Sequence, residues 1–154
     1  MVCGVGSKLQ GDDGLGPYVI EEMEKRGGIE GAELADYGIS GFKCALNLKG
    51  YNKVIFIDAI SLPGYKPGRL HIFRIPRERL SGHPMLNEAK LSMHETDLPR
   101  ILASAALMDT YPNQVVVIGC QPADTSVRLG LSPEVEKALP EIIEAVIKEA
   151  QNSG

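Results

Sequence analysis

Short apolar runs alternate along this chain with longer segments whose apolar residues recur every three or four positions. The first run, Val2–Val5, predicts a strand, and Leu15, Val19, Ile20 and Met23 predict one face of a helix from about Asp13 to Arg26. Pro17 falls in the first turns of that helix, where a missing N–H costs least, and Gly27-Gly28 ends it. A second strand is expected near Ala32–Asp36, followed by the loop Tyr37–Gly41 and a helix near Phe42–Leu48. Lys53-Val54-Ile55-Phe56-Ile57-Asp58 and Gln114–Gly119 each hold four consecutive large apolar residues. Such runs predict strands buried on both faces, as in a parallel sheet covered by helices.

Arg69–Arg74 alternates polar and apolar residues and predicts a more exposed strand at a sheet edge. Ile75–Lys90 has no consistent period and carries Pro76, Gly82 and Pro84, which predicts a long surface excursion. A helix of about Asp97–Met108 follows, with Thr96 as its cap. A final helix begins at Ser132-Pro133, with a kink or a break into two helices expected at Pro140. The pattern is that of an α/β fold: a three-layer sandwich with a mostly parallel, five-stranded sheet between helices. No linker, repeat or low-complexity tract interrupts it, and 154 residues suit a single domain, 1–154.

Composition narrows the partners more than the fold. The net charge is −4 and no basic cluster occurs, which argues against nucleic acid. No apolar segment reaches the length of a membrane helix and no signal peptide is recognisable, so a cytoplasmic location with no membrane partner is expected. Cys3, Cys44 and Cys120 are widely spaced, with no C-x-x-C pair, and read as buried reduced thiols.

The chemistry concentrates where strands end. In open α/β sheets, ligands bind beyond the carboxyl ends of the strands. Three features converge there: the loop Gly4–Gly16 with its adjacent acids Asp12 and Asp13, Asp58 at the end of its strand, and the loop after Asp36. A capping role accounts for one acid at a helix start, whereas two adjacent acids repel each other and the second needs a purpose. Asp58 either accepts loop N–H bonds or faces a cation, since a charge there is costly alone. His71, on the expected edge strand, and His83, in the excursion, read as surface residues, whereas His94 precedes a helix, where sites are often built. Two carboxylates and an imidazole suit a divalent ion such as nickel or zinc, or a base with an orienting partner; spacing does not choose between them. A nucleotide-binding module is disfavoured: Gly4-Val5-Gly6 followed by Gly11 misses the G-x-G-x-x-G spacing, and the acids would repel a pyrophosphate.

With these residues in view, the chain resembles the hydrogenase maturation endopeptidases, which process the large subunit of nickel–iron hydrogenases. The resemblance runs through Gly4-Val5-Gly6 to Asp12-Asp13-Gly14-Leu15-Gly16, Gly38-Ile39-Ser40-Gly41, Val54-Ile55-Phe56-Ile57-Asp58-Ala59, Ser92-Met93-His94 and Gly130-Leu131-Ser132-Pro133. It implies that Asp13, Asp58 and His94 form the metal-binding and catalytic triad, and that Gly38, Ile39, Ser40 and Gly41 contact the substrate. It also implies an endopeptidase that removes the C-terminal peptide of a nickel-loaded large-subunit precursor. The nickel would be presented by that substrate, with zinc or cadmium able to substitute in vitro. A non-catalytic maturation chaperone that only recognises nickel through the same triad is the alternative. Ser7 departs from the family pattern, which has asparagine there.

Overall fold

The computed structural model describes residues 1–80 and 98–152. Five strands, β1 (Val2–Val5), β2 (Leu34–Gly38), β3 (Lys53–Ala59), β4 (Leu70–Arg74) and β5 (Gln114–Cys120), form one sheet in the order β2-β1-β3-β5-β4. All pairings are parallel except β4 with β5, so the antiparallel strand is the expected edge strand. Helices α1 (Leu15–Lys25), α2 (Gly41–Asn47), α3 (Leu98–Leu107) and α4 (Pro133–Gln151) are the α-helices among the described residues.

Alternation along the central strands divides the core into two. Val54 and Phe56 of β3, with Val115 and Val117 of β5, pack against α2 and α3. Ile55 and Ile57, with Val116 and Ile118, pack against α1 and α4. Both faces of these strands are covered, which is why they read as unbroken apolar runs. Each fully buried large aliphatic side chain contributes roughly 1.5–3 kcal/mol relative to exposure. The three buried thiols are free, with the sulfurs of Cys3 and Cys44 3.7 Å apart.

Several expectations shift. The acidic loop first forms a 3₁₀ turn, Gly11–Gly14, and α1 proper begins only at Leu15. β2 lies two residues later than expected, because its half-buried residues give no continuous apolar signal. α4 is one helix rather than two: Pro140 lies on its exposed side, where water reaches the carbonyl that the proline leaves unpaired. His71 is 7% exposed, not a surface residue, because Tyr65 packs edge-on against it and its Nε2 lies 3.1 Å from Gln121 Oε1. Residues Arg77–Arg79 of the expected excursion form a short 3₁₀ turn. Ile75, at the start of that expected surface excursion, is instead fully buried, its N–H donating to the Val115 carbonyl; residues 81–90, with His83, and likewise the Thr96 cap and His94, lie outside the described residues.

Candidate active site

The crossovers place the site. β1 leads through α1 to β2 on one side, and β3 lies on the other side of β1. α1 covers one face and α2 the opposite face, so the connections diverge between β1 and β3. This is a topological switch point, where open α/β sheets leave a crevice. Asp13 follows β1 and Asp58 is the penultimate residue of β3, so the crevice opens between the loops that carry the two acids. The acidic 3₁₀ turn packs directly against β3.

Two glycines permit this approach. A methyl group at Gly16 would lie 2.5 Å from the Ile57 carbonyl oxygen and the Val5 nitrogen, so only glycine lets α1 start against the strand ends. Gly6 has φ +121, and a methyl group there would lie 1.9 Å from the Asp13 carbonyl oxygen. The Gly6 N–H donates to the Gly38 carbonyl at 2.9 Å, which ties the Gly38–Gly41 loop to the acidic loop. Within that loop Ile39 is exposed, and the Gly38 N–H donates to the Asp36 carboxylate.

The adjacent acids have separate tasks. Asp12 is fully buried. Its carboxylate accepts four hydrogen bonds: from the N–H groups of Ala123 (2.8 Å), Asp124 (3.0 Å) and Ser132 (2.7 Å), and from the Ser132 hydroxyl (2.8 Å). Burial pushes its carboxyl up, but these donors more than offset that and hold it below the ordinary aspartate value. Asp12 therefore caps nothing on its own helix, whose N-terminus has no side-chain cap. It reaches instead to Ser132, the residue that caps α4 by accepting from Val135 N–H. Nothing local in the sequence signals a partner 120 positions away.

Asp13 is half-buried and, among the described residues, accepts one hydrogen bond, from Ser7 N–H to Oδ2 at 2.9 Å. The departure at Ser7 leaves this bond in place, since the backbone makes it. Asp58 is 9% exposed. Two hard carboxylates fit a divalent cation. Among the described residues no group of three His, Cys, Asp or Glu side chains is placed to hold one, and the expected third donor, His94, lies outside them.

Comparison with known proteins agrees with this architecture. A family model described as hydrogenase maturation protease matches residues 17–149. The chain is 31% identical over 128 residues to the hydrogenase expression/formation protein HupD of Bradyrhizobium diazoefficiens, a match covering 80% of this chain and 62% of that longer relative. A crystal structure of a hydrogenase 2 maturation peptidase from Thaumarchaeota archaeon SCGC_AB-539-E09 superposes with a TM-score of 0.72 at 34% identity, covering 96% of this chain and 95% of that one. The hydrogenase maturating endopeptidase HybD of Escherichia coli shares the fold, with a TM-score of 0.80 at 23% identity over 99% of this chain and 92% of its own. No described helix is long and apolar enough to cross a membrane. The nucleotide-binding alternative is set aside, and the chain belongs to the hydrogenase maturation protease family.

Proposed function

We propose that this protein removes a C-terminal peptide from the nickel-loaded large-subunit precursor of a nickel–iron hydrogenase, in the cytoplasm. The observation that carries the reading is the division of labour between Asp12 and Asp13. One acid is saturated by four donors, while its neighbour, on the loop facing the Asp58 strand end, accepts a single hydrogen bond among the described residues. Nickel arrives as part of the substrate, where Asp13, Asp58 and His94 meet it. Precursor without nickel then lacks the cation that would offset repulsion between the carboxylates. Asp13 and Asp58 orient the loaded precursor, and one of them takes a proton from the water that attacks the scissile carbonyl. The Gly38–Gly41 loop, tied to Gly6, holds the adjoining substrate segment.

The test is incubation with nickel-loaded precursor, read by mass spectrometry. The native protein should release the peptide, and Asp13→Ala, Asp58→Ala and His94→Ala should not. Release by all three variants at the native rate would overturn the assignment of cleavage to this site. Binding of loaded precursor by the native protein without release would favour the chaperone alternative.

A further inference from the structure

Beside the acidic turn, three large aliphatic side chains stand in solvent: Leu9 is 65% exposed, Val127 87% and Leu129 72%. They come from loops more than a hundred residues apart that one backbone bridge joins. Arg128 N–H donates to the Leu9 carbonyl at 3.0 Å, and Gly11 N–H donates to the Arg128 carbonyl at 2.9 Å. Gln10 and Arg128 therefore lie side by side. Leu9 flanks the first of these residues, and Val127 and Leu129 flank the second. The neighbouring cations are internally paired, Lys8 with Glu21 and Arg128 with Asp124. What this surface offers a partner is thus mainly apolar contact.

The bridge is braced by the same turn that carries Asp13. Asp12 N–H donates to the Asp124 carbonyl at 2.9 Å, while its carboxylate takes the N–H groups of Ala123 and Asp124. Tyr18 adds a second brace, its hydroxyl accepting from Gly130 N–H at 3.1 Å. Asp12 thus anchors the chain on both sides of the Val127–Leu129 loop, at Ala123 and Asp124 before it and Ser132 after it, while the bridge bonds with Leu9 and Gly11 hold Arg128 within it.

We propose that Leu9, Val127 and Leu129 form the docking surface for an apolar segment of the large-subunit precursor, and that Asp12 is a positioning residue that sets its register against Asp13. The inference rests on the proteolytic reading above. The occupant follows from continuity: a protein substrate whose scissile bond reaches Asp13 must cover this edge of the sheet, and the surface starts within four residues of that acid. A rigid brace of backbone bonds from surface to acid then acts as a ruler.

The test uses Leu9→Asp and the double variant Val127→Asp with Leu129→Asp, with thermal unfolding as a control for folding. KM for cleavage of loaded precursor should rise about tenfold or more, as for loss of an apolar anchor, with kcat within about twofold. The dissociation constant of the precursor should rise in step. Unchanged KM and dissociation constant in the double variant would overturn the docking surface. So would a dimer of the native protein that the double variant disrupts with KM unchanged, since a second copy would then be the occupant. Asp12→Asn should release peptides of more than one length; a slower reaction with a single product would overturn the positioning role. Native protein that binds precursor through this surface yet cuts nothing would sink the proteolytic reading and leave the docking surface standing.

Discussion

At one end of the sheet Glu149 lies between two cations, and at the other Asp12 lies among neutral donors. Glu149 accepts both guanidinium N–H groups of Arg74, at 2.8 and 3.0 Å, and lies 2.9 Å from Lys53 Nζ. Among the described residues Asp12 and Asp13 pair with no cation. Both Glu149 and Asp12 titrate below their ordinary values, Glu149 chiefly through Arg74 and Asp12 through hydrogen bonds that outweigh its burial. The difference lies in what remains. The Glu149 end neutralises its acid, which closes it to other ions. The Asp12 end satisfies its acid with neutral donors, so among the described residues no cation cancels the charge beside Asp13. Dipoles can stabilise a carboxylate and still leave it able to attract an external cation.

Substitution should separate the two ends. Asp13→Asn should lower cleavage of loaded precursor at least about 100-fold, as for loss of a general base or metal-facing carboxylate, while stability changes by under about 1 kcal/mol. Equal losses of both in urea unfolding and cleavage assays would erase the contrast. Glu149→Gln should do the reverse. It leaves Lys53 less compensated and should cost about 3 kcal/mol in urea unfolding, with cleavage at a permissive temperature retained. Arg74→Ala should cost less, under about 1 kcal/mol in the same measurement, because Arg74 is largely exposed and Lys53 remains beside the acid.

Acid should weaken both ends. A carboxyl whose folded pKa is depressed contributes stability that is complete above its unfolded pKa and is lost as pH falls through the folded value. With unfolded values of about 3.9 for Asp and 4.3 for Glu, stability should decline below about pH 4. Asp12→Asn should flatten that decline in urea titrations at stepped pH. An unchanged slope would mean that Asp12 gains as much from its surroundings when unfolded.

What could be read from sequence follows from how local each cause is. β3 and β5 declare themselves because burial on both faces leaves four apolar residues in a row. Ser132-Pro133 declares the start of α4 because a cap acts within three residues. β2 slid because its residues are only half-buried, and His71 misled because an exposed neighbour, Ile72, gives β4 an edge pattern while Tyr65 covers the histidine. In the site, Asp13 and Asp58 were legible as charges at the ends of apolar runs. The true partners of Asp12 were not, since hydrogen bonds to residues 123–132 leave no periodic trace near position 12.

The bond between Asp12 and Ser132 spans 120 positions, and this has a temporal consequence. During synthesis the acidic turn leaves the ribosome early, but its anchor comes only with the start of α4. Until then Asp12 is a carboxylate without its Ser132 donors, and the loop that bears Asp13 is held by local bonds such as that from Ser7 N–H and by the tie from Gly6 to Gly38. A nascent chain would therefore carry its glycines and acids long before it carries a site, and competence would arrive in one step, when α4 docks.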